Sequence, residues 1–123
     1  MVVGVDLVEV PRVERALARY GERFLERVFT SAEVLHARGR APELAVRFAA
    51  KEAVAKALGV GVRMLARDGI GWREVEVLGD RRGRPEVYLY GRAAERAAEL
   101  GLTEWAVSLS HTREYAVAFV VAW

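Results

Sequence analysis

Apolar and polar positions alternate at the start of the chain and then shift to helical spacing. Met1 to Val10 is Val-rich and loosely alternating, which predicts a strand, with Asp6 breaking its apolar character. Pro11 sits where a helix would begin, at its first turn. From there to Tyr20, Val13, Ala16 and Leu17 share one side. Gly21 interrupts, and Glu22 to Phe29 resumes with Phe24, Leu25, Val28 and Phe29 apolar. Thr30-Ser-Ala-Glu33 has the spacing of a capping box, in which Thr30 and Glu33 satisfy two orphan amides reciprocally, and a short helix to about Ala37 follows. Gly39-Arg-Ala-Pro42 is a turn. Pro42 opens a long Ala-rich helix that runs to Leu58, with Gly59 and Gly61 as stop signals.

The second half is richer in strands. Gly59 to Gly71 is glycine-interrupted, with one turn expected at Arg63 to Ala66. Trp72 to Leu78 and Glu86 to Tyr90 form strands on either side of the polar turn Gly79-Asp-Arg-Arg-Gly-Arg-Pro85, a hairpin with a long loop. Gly91 to Leu100 is a helix ended by Gly101. Trp105 to Ser110 and Tyr115 to Trp123 are the last strands. Early helices, a hairpin and two late strands indicate an α+β fold, a mainly antiparallel sheet packed with the long central helix. At 123 residues the chain supports one core and one domain, residues 1–123.

The long helix has three distinct sides. Ala50, Ala53 and Ala57 form a narrow stripe that lets a neighbouring backbone or sheet come close. Phe48, Glu52 and Lys56 share a second side at i, i+4, i+8. Arg47, Lys51, Val54 and Leu58 make the third. Of the 19 Lys and Arg residues, Lys51 and Lys56 alone are lysine. That usage has two readings: a surface Glu52–Lys56 pair with chance composition, or a need for a compact, titratable ammonium that Arg does not meet.

Composition narrows the classes. Hydrophobic content of 53% with 29% charged residues is globular. No apolar run approaches the roughly 20 residues of a membrane span, and the N-terminus lacks a signal-peptide pattern, so a cytoplasmic location is expected and no membrane partner. Without Cys there are no disulfides, thiolate metal sites or Cys nucleophile. The lack of Asn and Gln, with cations almost all Arg, fits a thermophile or a GC-rich genome. A net charge of +2 means that any preference for an acidic partner comes from the arrangement of charge.

Candidate chemistry is sparse. Asp6 either caps a strand-edge amide or joins Glu52 in a two-carboxylate oxygen site of the kind Mg2+ accepts. Ser108 and Ser110 share one face of a strand that ends at His111 and Thr112. A Ser-His-acid triad is poorly supported there, because no Gly-x-Ser-x-Gly elbow exists and His111 is too near Ser110. His36 is read as solvated. Arg12, Arg15, Arg19, Arg23 and Arg27 recur every three or four residues, either as an ion-pair-laced face or as a docking face for an acidic partner. A nucleic-acid module would use such a stripe, but no aromatic interleaving or reading signature accompanies it. Phosphate loops of the usual kinds are absent, so a bound phosphate must be held by side chains and a metal.

Several of these segments occur together in a recognisable order. Gly4-Val-Asp6 with Glu9 and Arg12, Phe29-Thr30 with Glu33, Arg47-Phe-Ala-Ala-Lys-Glu-Ala53 with Lys56-Ala-Leu-Gly59, Gly83-Arg-Pro85, and Ser108-Leu-Ser-His111 with Tyr115-Ala116 resemble the holo-acyl-carrier-protein synthases, short-form 4'-phosphopantetheinyl transferases. The resemblance implies transfer of the phosphopantetheine arm of coenzyme A to a serine of apo-acyl carrier protein, releasing 3',5'-ADP, in fatty acid biosynthesis. It implies Asp6 and Glu52 as Mg2+ ligands, with Lys56 neutralising the departing phosphate and Glu52 or a metal-bound water taking the serine proton. Lys51 and Arg47 are implied as positive groups near the phosphates, His111 with Thr112 at the 3'-phosphate, and Gly83, Arg84 and Pro85 beside the adenine. Arg12, Arg15, Arg19 and Arg23 match the surface that receives the carrier protein. The resemblance further implies a homotrimer with active sites at subunit junctions, and no nucleic-acid partner. A metal-dependent phosphohydrolase acting without a carrier is the rival enzyme reading.

Overall fold

The alternating valines at the N-terminus form strand β1 (Val2–Glu9), and the chain turns directly into helix α1 (Val10–Tyr20), with Pro11 in its first turn. In this computed structural model residues 1–61 and 69–123 are described, and the turn expected at Arg63 to Ala66 lies outside them. Gly21, at φ 54°, breaks the helical run, and α2 (Glu22–Val28) follows in a new direction. The expected capping box is present: Thr30 Oγ1 accepts the Glu33 amide at 3.2 Å and the Glu33 carboxylate accepts the Thr30 amide at 3.0 Å, opening α3 (Ser31–Ala37).

Helix α4 (Ala41–Ala57) is the centre of the molecule. It is buried nearly all round, through Leu44, Ala45 and Val46 in its first half and Ala49, Ala50, Ala53, Val54 and Ala57 beyond them. Its one open stripe is Phe48, Glu52 and Lys56, the side read from the sequence. The alanine stripe has the expected use. β1 crosses it so closely that a Cβ on Gly4 would fall 2.0 Å from the Ala53 carbonyl oxygen.

The antiparallel strands divide into two sheets. One has the order β1-β5-β4, with β4 (Trp105–His111) and β5 (Tyr115–Ala122) joined by a tight turn; Asp6 pairs with Ala118, and Ser108 with Phe119. Ala116, Ala118, Val120 and Ala122 of β5 face α4, while Val3, Val5 and Leu7 of β1 and Phe119 of β5 lie exposed on the other face. The second sheet is the hairpin of β2 (Val75–Gly79) and β3 (Pro85–Leu89). Trp72 to Glu74, expected as strand, is a 3-10 turn leading into β2. Helix α5 (Gly91–Glu99) follows the hairpin, burying Ala93 and Ala97.

Candidate active site

β1 and α4 bring Asp6, Glu52 and Lys56 together. Lys56 Nζ donates to Asp6 Oδ1 at 2.8 Å and to the Val5 carbonyl at 3.0 Å. Glu52, one turn before Lys56, is partly buried. Its carboxyl is pushed above its ordinary 4.5, first by burial and then by the Asp6 charge, with Lys56 and Arg12 pulling partway back. The Asp6 charge is therefore close enough to oppose ionisation of Glu52, in a place where burial weakens screening by water. Lys56 and Arg12 supply part of the positive charge that such a pair calls for. Mg2+ takes one or two carboxylates and fills its other positions with water and phosphate oxygens. Among the described residues no group of three or more acids and histidines forms. Two carboxylates that leave the other positions to water and phosphate are a donor set of the kind Mg2+ accepts, and Asp6 and Glu52 are the residues that would hold it.

A separate cleft of about 340 Å³ opens between α4, the hairpin and β4, and it gathers four more of the expected residues: Arg47, Gly83, Pro85 and His111. Arg47 is 7% exposed; its Nε donates to the Val77 carbonyl at 3.1 Å and its Nη1 to the Glu43 carboxylate and carbonyl at 3.0 Å. Glu43 also lines this cleft, a residue the sequence reading passed over although its i, i+4 spacing to Arg47 was visible. The turn that offers Gly83 is held by Asp80, whose Oδ1 accepts the amides of Arg82 at 2.8 Å and Arg84 at 2.9 Å. Gly83 itself has φ 79°, a conformation that favours glycine.

Two expected contacts lie beside the cleft. Arg84 is exposed, between the lining residues Gly83 and Pro85. Thr112 Oγ1 accepts the amides of Tyr115 at 3.0 Å and Glu114 at 3.3 Å, so that hydroxyl shapes the turn after His111.

Lys51 goes elsewhere, and here the structure corrects the expectation of a phosphate contact. Its side chain is fully buried, and its ammonium donates to Glu33 Oε1 at 2.7 Å, to the Trp72 carbonyl at 3.0 Å and to the Val75 carbonyl. All three N–H groups are engaged in the core, which leaves none for a phosphate in solvent. Burial lowers its pKa, and the Glu33 carboxylate offsets part of that.

The arginine stripe is exposed but not straight. Arg12, Arg15 and Arg19 flank a shallow hollow on α1. Past Gly21, Arg23 lines an apolar cleft of about 390 Å³ with Tyr20, Phe24, Phe48 and Trp72, so the cationic face continues into an aromatic one. Phe48, one turn from Glu52, stacks on Trp72 at 4.7 Å. His36 is exposed, as read from the sequence.

Against known proteins, the sequence model of the 4'-phosphopantetheinyl transferase superfamily matches residues 2–120. A holo-acyl-carrier-protein synthase of Herpetosiphon aurantiacus is 50% identical, over 98% of this chain and 97% of that protein. One from Halorhodospira halophila is 52% identical over 97% of this chain and 94% of its own. Among solved structures, holo-acyl-carrier-protein synthase of Helicobacter pylori in complex with coenzyme A superposes with a TM-score of 0.86 at 26% identity, covering 98% of this chain and 99% of that one. The Neisseria meningitidis enzyme also gives 0.86, at 33% identity over 100% and 99% of the two chains.

Proposed function

This chain belongs to the 4'-phosphopantetheinyl transferase superfamily, and from that premise we propose that it moves the phosphopantetheine arm of coenzyme A onto a serine of apo-acyl carrier protein, with Mg2+, in support of fatty acid biosynthesis. The observation that carries the Mg2+ part of the reading is the Asp6–Glu52–Lys56 cluster: a half-buried Glu52 whose ionisation the Asp6 charge opposes, with an ammonium at 2.8 Å from Asp6. When bound there, Mg2+ would neutralise the diphosphate of coenzyme A and favour departure of 3',5'-ADP.

The chain's own residues divide the remaining work. Asp6 and Glu52 supply the oxygens that hold the cation. Lys56 is 55% exposed at its side chain and spends two of its three donors on Asp6 and Val5, so it stands ready to meet the charge that develops on the leaving phosphate. His111 and the Arg47–Glu43 ion pair give the cleft a polar lining suited to the nucleotide, with Gly83 and Pro85 as the wall beside the adenine. Arg12, Arg15, Arg19 and Arg23 form the docking face for the acidic carrier, which such charge would steer into place.

These two halves belong to different copies of the chain in a homotrimer. At 3.6 residues per turn, Glu43, Val46 and Arg47 lie on the side of α4 opposite Phe48, Glu52 and Lys56, with a buried core helix between them. In that assembly a single substrate molecule would meet both, each supplied by one of two neighbouring copies. The outer sheet face supports such an assembly: Val5 is 52% exposed, Leu7 63% and Phe119 46%, an apolar patch that calls for a cover.

The test is to incubate the protein with coenzyme A, Mg2+ and an apo-acyl carrier protein and weigh the carrier. The reading expects a gain of one phosphopantetheine arm, lost on chelation. No gain, or release of 3',5'-ADP without a carrier, overturns it.

A further inference from the structure

Among the described residues strand β2 has one partner strand, β3, yet its other edge is not bare. Three charged side chains occupy it. The Val75 carbonyl accepts from Lys51 Nζ, the Val77 amide donates to Glu33 Oε2 at 3.0 Å, and the Val77 carbonyl accepts from Arg47 Nε at 3.1 Å. These are the alternate ladder groups of β2, the ones a third strand would pair. Glu76, between Val75 and Val77, is gripped through its side chain as well: Thr30 Oγ1 donates to Glu76 Oε2 at 2.6 Å, and Tyr90 donates to Glu76 Oε1 at 3.0 Å.

The set is complete in its hydrogen bonding. Glu33 is fully buried and accepts from Thr30, Lys51 and Val77; Lys51 is fully buried with three acceptors around it. Among the described residues no buried side-chain polar atom lacks a partner. A network satisfied in this way holds its elements in one arrangement, and removing a member strands a buried charge. The elements held are α3, α4 and β2. α4 and β2 are also two walls of the 340 Å³ cleft, through Val46, Arg47, Val77 and Gly79.

We propose that Lys51 and Glu33 are positioning residues: with Arg47 they stand in for a missing strand, and so fix the hairpin wall of the nucleotide cleft against α4. Lys51 acts on coenzyme A through that wall and does not touch it. The inference rests on the proposed function for what the cleft binds. The clamp on β2 stands on its own.

The experiment compares Lys51→Met and Glu33→Gln with the unaltered protein, all checked for a folded circular-dichroism spectrum. Two readouts are taken, carrier-protein transfer at varied coenzyme A and amide hydrogen exchange. The clamp predicts that KM for coenzyme A rises about tenfold or more, as for one lost hydrogen bond to a charged group, while kcat changes little. It also predicts that Val77 and its β2 neighbours lose protection while the β5 amides keep theirs. A fall in kcat with KM unchanged would put Lys51 on the reacting phosphate and overturn the proposal. So would unaltered β2 protection, or a loss of protection spread evenly over the molecule. Failure of both variants to fold also overturns it, since the pair would then be a condition of folding and not of cleft geometry. If the unaltered protein transfers nothing, the proposed function fails, and the exchange pattern alone decides the clamp.

Discussion

Replacing Gly4 by alanine joins the packing of this fold to its chemistry in one perturbation. The added Cβ would lie 2.0 Å from the Ala53 carbonyl oxygen, 2.9 Å from its carbon and 3.0 Å from the Ala57 nitrogen. All three are backbone atoms of a buried helix, so no side chain can swing aside. β1 must retreat from α4 by about 1 Å, an overpacking strain of about 2–3 kcal/mol. For a chain of this length that lowers Tm by about 10 °C. Asp6 sits two residues along the same strand, on the same side as Gly4, and the retreat carries it away from Glu52 and Lys56. Gly4→Ala should therefore lose transfer activity at temperatures where it is still folded, and raising Mg2+ should restore part of it. Thermal unfolding and a Mg2+ titration of the rate read both effects. Wild-type Tm together with wild-type activity would refute the close approach of β1 to the alanine stripe.

Five further outcomes follow from the site and the outer sheet face. Asp6→Asn and Glu52→Gln should each cut transfer by about a hundredfold or more, the scale set by losing groups that support a metal, without unfolding the protein. Because burial and Asp6 raise the Glu52 pKa, its ionised form opposes folding above that pKa and the opposition fades as pH falls through it. Glu52→Gln should thus match or exceed the wild-type Tm at neutral pH, with the difference shrinking in acid. Carboxyl NMR should find Glu52 titrating above its ordinary 4.5 without metal and lower when Mg2+ is added. Arg19→Ala and Arg23→Ala should each raise KM for the carrier about threefold, less at high salt, and Phe119→Glu on the outer sheet face should turn a trimer into smaller species by sedimentation.

Much of this fold was legible because local rules and tertiary packing agree. The capping box at Thr30 to Glu33, the Gly21 break and the strand before Pro11 all follow from neighbours in the chain. The alanine stripe of α4 announced a close approach, and Gly4 supplies the surface that makes it. The Phe48, Glu52, Lys56 side was correctly separated from the rest because one helical period fixes it. Lys51 was misread for the same reason that it is informative: its partners are 18 to 24 residues away, at Glu33, Trp72 and Val75, and no spacing rule reaches them. Glu33 looked fully explained by its cap, which hid its second role. The 3-10 turn at Trp72 to Glu74 replaced the expected strand, with the Trp72 carbonyl taken up by Lys51 in a contact that only the folded chain contains.

The most direct test of the account is where a divalent cation sits. Crystals grown with coenzyme A and Mn2+ in place of Mg2+ should give an anomalous peak between the carboxylates of Asp6 and Glu52, in contact with the substrate's diphosphate. A peak away from both acids, or a bound coenzyme A with no peak at all, would contradict it.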